Sequence, residues 1–139
     1  MGTGSGYRDL LAWQEAMSLA TLVYRITSRY PREEIYGLTA QTRRSAISIP
    51  SNIAEGDARN SSREKYHLLG VAAGSLAELE TQLELAARLE YLRVDPATAR
   101  QLQKVGMLLH ALRRSCLSSC GADVGKQATR STPHPSRLT

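Results

Sequence analysis

The chain has 139 residues, which suits one domain with a single modest core. It contains no Phe and few other aromatic residues, so the core must consist mainly of Leu, Ile, Val and Ala, a composition typical of packed helices. The formal net charge of +5 permits contact with nucleic acid or another acidic partner, but it does not require one.

Residues 1–7 are predicted to form a flexible lead to the folded domain, because Gly, Ser and Thr dominate them. They have neither the basic patch nor the apolar core of a secretion signal. Elsewhere, no apolar run approaches the roughly 20 residues that cross a bilayer. We therefore expect a cytoplasmic protein that has no membrane partner.

The first helix is predicted from Arg8 to about Tyr30, where Pro31 ends it. Its apolar residues recur every three or four positions, as expected for a helix that faces a core. This stripe comprises Leu10, Trp13, Met17, Ala20, Val23 or Tyr24, and Thr27.

The second predicted helix, residues 36–56, keeps helical periodicity although Pro50 lies inside it. A proline removes a backbone donor and crowds the carbonyl group of Ala46, at a cost of roughly 3 kcal/mol in a helix interior. We therefore expect a kink at Pro50. Three short polar side chains can bond to backbone groups near it: Ser48, Ser51 and Asn52. Gly56 is predicted to adopt the left-handed conformation that suits the residue past a helix end.

The third helix is predicted to follow Ser61 and to run to about Glu90, with Ser61 and Glu64 bonding to each other's backbone donors in a capping box. Its apolar positions cover two flanks, which is wider than one neighbouring helix can bury. The helix is therefore either central in the bundle or in contact with another subunit. Gly70 and Gly74 share a face, so we expect a neighbouring backbone to approach closely there.

The fourth helix is predicted from Asp95 to Cys120, because Asp95 can cap it and Pro96 suits its first turn. After that the periodicity stops, and residues 121–139 are predicted to be a disordered tail. No strand-like alternation persists anywhere in the sequence. The predicted fold class is all-α, with a single antiparallel up-and-down four-helix bundle over residues 8–120.

Several short motifs occur together up to about Leu92 and resemble the bacterial family of the S23, or 23S rRNA intervening-sequence, protein. They include Tyr-Gly-Leu, Ser-Ile-Pro and Asn-Ile-Ala-Glu-Gly segments. The matching positions include Trp13, Gly37, Gln41, Pro50, Asn52, Glu55 and Gly56. We interpret Asn52, Glu55 and Gly56 as structural, because mending the proline kink and ending the helix suffice to explain them.

The resemblance also implies properties beyond the sequence pattern. Studied members of the family are antiparallel bundles, are cytosolic and tend to form pentameric rings. A related branch, the accessory proteins of diversity-generating retroelements, binds nucleic acid and a reverse transcriptase. For this chain the resemblance therefore implies a homopentamer, with RNA, DNA or a nucleic-acid enzyme as candidate partners.

No catalytic residue, metal site or cofactor can be assigned from the sequence. Glu64 and His67 have the spacing found in di-metal bundles, but such a bundle needs a second pair and two further inward carboxylates. Cys116 and Cys120 lack additional metal ligands at a matching spacing. No nucleophile elbow, phosphate loop or dinucleotide motif occurs. We therefore predict that the protein is not an enzyme.

The charge distribution points instead to binding or assembly. The third helix carries five acids against two bases, a net charge of −3, and the fourth carries four bases against one acid, a net charge of +3. Opposite surfaces of adjacent copies could meet, or basic groups multiplied by assembly could contact phosphates. A solvated surface without a partner is a third interpretation. The candidate phosphate contacts are Arg43, Arg44, Arg59, Arg63, Arg100, Lys104, Arg113 and Arg114.

Arg43 and Arg44 point about 100° apart around a helix, so they cannot share one role. One of them is expected to face a carboxylate such as Glu55 or Glu80 within the bundle. The favoured hypothesis is a non-enzymatic oligomeric scaffold that binds nucleic acid, with structured RNA as the preferred ligand. The alternative is a protein–protein adaptor, for example for a polymerase, whose basic groups serve only assembly.

Overall fold

A computed structural model of the chain describes residues 6–128, with side chains described as far as residue 119. All of the regular structure in this part of the chain is helical. The four long helices are α1 (Leu11–Thr27), α2 (Leu38–Asp57), α3 (Ser62–Arg88) and α4 (Pro96–Ala128). Two short 3-10 helices, Gly6–Asp9 and Arg32–Glu34, precede α1 and α2. The chain is therefore a four-helix protein, as its periodicity predicts.

Several helix boundaries differ from the prediction, and α1 ends at Thr27 and not at about Tyr30. The first residues of the predicted first helix form a separate 3-10 turn, and α1 itself begins at Leu11. Helix α4 continues beyond Cys120 to Ala128, because a glycine inside a helix costs only about 1 kcal/mol and no proline occurs before Pro133. The predictions for residues 1–5 and 129–139 lie outside the described residues.

Helices α2 and α3 contact each other along most of their lengths. The Ser45 hydroxyl donates to Glu78 at 3.4 Å, and the Ser48 and Ser75 hydroxyl oxygens lie 2.7 Å apart. Nearer the connecting turn, Gly56 faces Leu68. Residue numbers therefore fall along α3 as they rise along α2, as expected for two helices joined by a turn of only four residues.

Helix α3 packs between α2 and α4, and each of the four helices likewise contacts two others. Its buried residues belong to one core cluster with residues from all three other helices: Leu69, Ala72, Leu76, Leu79 and Leu83. Both flanks of its apolar stripe are thus used within one chain. The width of the stripe is explained without a second subunit, which removes that argument for assembly.

The segment around Pro50 remains helical on both sides of the buried proline. The Ser51 hydroxyl donates to the carbonyl oxygen of Ile47 at 2.8 Å. The Asn52 amide donates to the carbonyl oxygen of Ser48 at 2.8 Å and to its hydroxyl at 3.0 Å. The predicted side-chain bonds to the turn before the proline are therefore present.

The left-handed conformation predicted for Gly56 is wrong. Gly56 lies inside α2, and among the described glycines only Gly6 has a positive φ. It is buried where α2 meets α3, and a Cβ atom there would lie 3.5 Å from the Cβ of Leu68 and 3.6 Å from the carbonyl oxygen of Lys65. Its small size, not its backbone freedom, fits the contact.

Gly37 has a related role at the other end of α2. A Cβ atom on Gly37 would lie 2.9 Å from Oε2 of Glu34, and this oxygen accepts a hydrogen bond from the backbone N–H of Leu38 at 2.9 Å. The Tyr91 hydroxyl donates to the other carboxylate oxygen at 3.3 Å. The glycine leaves room for a carboxylate that satisfies the first turn of α2.

Both predicted N-caps are present, but among the described residues the Glu64 carboxylate does not complete the predicted capping box by accepting from the Ser61 backbone N–H. The Ser61 hydroxyl accepts from the backbone N–H of Glu64 at 3.4 Å, and the Asp95 carboxylate accepts from the backbone N–H of Thr98 at 2.7 Å. Hydrogen bonding from Thr98 lowers the pKa of Asp95 below its usual value of 3.8. Each cap satisfies a donor that the helix itself leaves without a partner.

Two substitutions of Gly56 separate packing from backbone conformation. For Gly56→Ala we expect an unchanged or higher free energy of unfolding, because the added methyl makes ordinary contacts and alanine favours a helix by up to about 1 kcal/mol. Gly56→Leu overfills the contact and should lower it by about 1–3 kcal/mol. Chemical denaturation measures both variants. A large loss in the alanine variant would contradict this role of Gly56.

The Asp95 cap predicts a pH dependence. Asp95→Ala should lower the thermal unfolding midpoint at pH 7, whereas Asp95→Asn, which can still cap, should change it less. Because the folded-state pKa is lowered, this stabilisation is present above pH 3.8 and is lost as the pH falls through the lowered value. The gap between wild type and Asp95→Ala should close on acidification in thermal scans, and a gap that widened would oppose the assignment.

Candidate nucleic-acid interface

The eight predicted basic residues do not form one surface. The Arg113 guanidinium lies against Gly70 near the start of α3, and Gly56 near the end of α2 contacts Leu68. Four of the candidates therefore share the end of the bundle where α2 passes into α3: Arg59, Arg63, Arg113 and Arg114. We call this the α2–α3 end. Arg100 lies 13 residues before Arg113, about 20 Å along α4.

The other four candidates lie towards the opposite end, and two of them hold helices together. Arg43 donates from Nε to the Thr27 hydroxyl at 2.8 Å, and its guanidinium lies 4.5 Å from the centroid of the Tyr24 ring. Lys104 forms an ion pair with Glu15 at 3.0 Å. These contacts join α2 and α4 to α1, so both side chains have structural partners.

Glu15 connects α1 to α4 through both its side chain and its backbone carbonyl group. The Gln101 amide donates to the Glu15 carboxylate at 2.7 Å and to its carbonyl oxygen at 3.0 Å. Hydrogen bonds from Gln101 and Lys104 hold the pKa of Glu15 below its usual value. Lys104 thus has a partner of opposite charge, Glu15, within the chain.

The expected pairing of Arg43 or Arg44 with Glu55 or Glu80 is wrong. Glu55 instead pairs with Arg59 at 2.9 Å, one turn further along the chain. Arg43 turns towards hydroxyl, carbonyl and aromatic groups of α1, while Arg44 is exposed. The prediction that the two arginines have different roles is therefore right, although the partner is not a carboxylate.

Arg113 packs against α3. Its guanidinium lies 4.4 Å from the centroid of the Tyr66 ring, a cation–π contact, and a Cβ on Gly70 would lie 3.1 Å from its Nη2 atom. Its Nε is buried and has no hydrogen-bond partner among the described residues. Gly70 thus admits a side chain and not a neighbouring backbone. Gly74, predicted to act with it, is exposed, and a Cβ atom there would meet nothing within 4 Å among the described residues.

Arg59 and Arg63 line a surface pocket of about 430 Å³ at the α2–α3 end. Its other lining residues are Glu64, His67 and Leu68. Arg63 is exposed, and Arg59 keeps about half of its side chain exposed in a surface ion pair of a kind that contributes at most about 1 kcal/mol. Arg59, Arg63 and His67 can therefore contact an incoming phosphate, because little free energy is lost when the surface ion pair of Arg59 breaks.

Arg114 is exposed next to the packed Arg113, and its Nη2 lies 3.0 Å from Nε2 of His110. Arg44 and Arg100 are also exposed, but on other parts of the bundle. The geometry therefore divides the candidates into packed residues, Arg43 and Arg113, and exposed ones, of which Arg59 and Lys104 also form ion pairs. Among the exposed candidates, Arg59, Arg63 and Arg114 share one end.

The family-motif residues mainly have structural contacts. Trp13 packs on Tyr7 with ring centroids 5.2 Å apart, while Pro50, Asn52 and Gly56 lie in the helical contacts described above. Gln41 is exposed, and its backbone N–H donates to the carbonyl oxygen of Gly37 in the first turn of α2. Glu55 pairs only with Arg59 among the described residues. The motif residues therefore stabilise the helices that lead to the α2–α3 end, and they do not themselves form a polar site.

An apolar groove between α1 and α2 was not predicted from the sequence. It has a volume of about 520 Å³, and its lining includes Trp13, Met17, Tyr24, Ile47 and Pro50. Met17, Tyr24 and Ile47 each keep more than 40% of their surface exposed. Ile47 lies outside the row of apolar residues that faces the core on α2. An exposed isoleucine outside that row is the feature of the sequence from which the groove could have been predicted.

Within residues 6–128 no three His, Cys, Asp or Glu side chains are grouped so that they could hold a metal ion. None of the helices in this described part is long and apolar enough to cross a membrane. Cys116 is buried in the core beside α3, and the side chain of Cys120 lies outside the described set.

The fold and its motifs have counterparts among known proteins. A solved structure of a protein with unknown function, from the S23 ribosomal protein family of Bacteroides thetaiotaomicron VPI-5482, is similar in fold, with a TM-score of 0.56. The two are 21% identical, and the match covers 78% of this chain and 96% of that chain. A comparison with curated proteins finds no match. The family model for the 23S rRNA-intervening sequence protein matches residues 8–111, and this chain belongs to that family.

Proposed function

We propose that the protein is a non-enzymatic, oligomeric scaffold that binds structured RNA at the α2–α3 end. The pocket lined by Arg59, Arg63 and His67 is the observation that carries this proposal, because it offers two arginines and an imidazole to one phosphate strand. The family description, which names 23S rRNA, is consistent with such a ligand. We further propose that the protein is cytoplasmic and that its helices form an antiparallel up-and-down bundle with a kink at Pro50.

The charge distribution along the chain supports the same end of the bundle. Residues 113–139 contain five Lys or Arg residues against one Asp, which amounts to +4 of the total net charge of +5. Of these bases, Arg113 and Arg114 have described side chains, and both lie at the α2–α3 end.

Assembly would multiply this surface. The apolar groove between α1 and α2 is the self-contact that we propose, because Met17, Tyr24 and Ile47 line it and each keeps more than 40% of its surface exposed. A ring of copies would present one α2–α3 end from each subunit. Phosphate contacts would then add across subunits, since one RNA could engage several ends at once.

The adaptor function is the second candidate, and it depends on the same groove. In that case a protein partner such as a polymerase would occupy the surface around Met17 and Ile47, and the basic groups would serve assembly alone. Capture of a protein by the purified chain after nuclease treatment, together with an absence of RNA binding, would favour the adaptor over the scaffold.

RNA binding is tested by fluorescence anisotropy with a labelled RNA stem-loop. We expect affinity to fall steeply with salt, and the double variant Arg59→Glu, Arg63→Glu to lower the log–log salt slope by about two. The matched control is Arg93→Glu, Arg100→Glu, which makes the same charge change at exposed positions of the opposite end. An equal loss in the control, or binding that salt does not change, would refute this surface.

Assembly is tested by light scattering on the chromatographed protein. A pentamer would have a mass of about 76 kDa, five times the 15.2 kDa of one chain. Met17→Glu with Ile47→Glu should reduce this mass, because two charges would be buried in the proposed contact. Leu85→Glu changes an equally exposed apolar residue on α3 and should leave the mass unchanged. A wild-type mass of one chain at micromolar concentration would exclude the scaffold.

A further inference from the structure

Two adjoining pockets flank Arg43, towards the end of the bundle opposite the proposed RNA surface. One has a volume of about 340 Å³ and is lined by Tyr30, Arg32, Thr39 and Arg43, among others. The second, of about 520 Å³, shares Ile35, Thr39 and Arg43 with the first and adds Arg44. We call the two pockets together the Arg43 site. Three arginines line it, and no carboxylate among the described residues does.

The two acidic residues in the connection before α2 do not line the Arg43 site. Glu34 belongs to the same connection, but its carboxylate accepts from the Leu38 backbone N–H at 2.9 Å and from the Tyr91 hydroxyl at 3.3 Å. Glu33 is exposed and lines neither pocket. Glu78 lines a separate pocket together with Arg44. Among the described residues no carboxylate forms an ion pair with Arg32, Arg43 or Arg44, so their charges remain available to a ligand.

Arg43 is fixed before any ligand arrives. The Thr27 hydroxyl holds its Nε at 2.8 Å, and the Tyr24 ring supports its guanidinium plane at 4.5 Å. A side chain held in this way loses little conformational entropy when it binds an anion. Its packed position, which makes it a poor contact for a long RNA, suits a small ligand that enters the pocket.

A buried hydroxyl group offers a further donor. Tyr30 is 7% exposed, and its hydroxyl has no hydrogen-bond partner among the described residues. Burial raises the pKa of Tyr30 to about 12, so the group stays protonated and able to donate at physiological pH. Thr39, which lines both pockets, is 5% exposed. A buried donor without a partner is costly, and a small shift of the ring would let a phosphate oxygen in the pocket satisfy it.

The second pocket adds an apolar surface beside these donors. Ile35 and the half-buried Ala40 line it outside the proposed self-contact, and Ile35 keeps 51% of its surface exposed. A flat ring could pack on such side chains while an attached phosphate reaches Arg43 and Arg32. We propose that the Arg43 site binds a phosphate monoester carrying a flat ring, either a free 5′-mononucleotide or the 5′-phosphorylated end of an RNA.

Isothermal titration calorimetry with AMP, inorganic phosphate and adenosine tests the site on the full chain. We expect AMP to bind more tightly than phosphate, and adenosine to bind least. Tyr30→Phe removes only the hydroxyl and Arg32→Gln only an exposed charge, so both should fold, and each should weaken AMP binding by about tenfold. Arg29→Gln, an exposed arginine just before Tyr30 that lines neither pocket, should leave the affinity unchanged.

Short RNAs with a 5′-phosphate or a 5′-hydroxyl distinguish the two sources of the ligand. If only the phosphorylated RNA binds, and Tyr30→Phe and Arg32→Gln weaken it, the ligand is the RNA end. The proposal is overturned if AMP and the phosphorylated RNA both fail to bind at millimolar concentration. It is also overturned if adenosine equals AMP, or if the Tyr30 and Arg32 variants match wild type. Arg59 and Arg63 stay intact throughout, so failure here leaves the stem-loop surface unaffected.

Discussion

The close contact between α2 and α3 determines where the chemistry of this protein lies. It depends on small side chains, with Gly56 against Leu68 and the Ser48 and Ser75 hydroxyls 2.7 Å apart. Larger residues at these positions would separate the helices and change the path of the four-residue turn between them. Because the turn and the first residues of α3 carry Arg59 and Arg63, the packing of the helices fixes the position of both cations.

Aromatic packing divides the arginines of this bundle into two kinds. Arg43 lies over Tyr24 and Arg113 lies over Tyr66, so each links two helices through a ring face and the aliphatic part of its side chain. Arg63 and Arg114 have no such ring contact among the described residues and remain exposed. The formal net charge therefore overstates the charge that a nucleic acid could reach, and position decides which cations can act.

Local signals in the sequence were sufficient for the helices and their caps. Hydrophobic periodicity predicts four helices. Ser61 and Asp95 are predictable as N-caps because capping depends only on residues within one turn. The roles of Gly56, Gly70 and Arg43 were not predictable in the same way. Each depends on what the opposite helix presents, and a hydrophobic stripe identifies the buried face of a helix without identifying its partner. The pocket beside Arg59 likewise forms only after α2 and α3 meet.

We infer that the contact between α2 and α3 places the exposed cations of one end where a single RNA can reach them. Ultraviolet crosslinking of a bound RNA stem-loop, followed by mass spectrometry of the peptides, measures where the RNA lies. We expect crosslinks in the segment from the α2–α3 turn to His67 and in α4 from His110 onwards. Crosslinks confined to the segment between Arg93 and Lys104 would show that the RNA binds elsewhere.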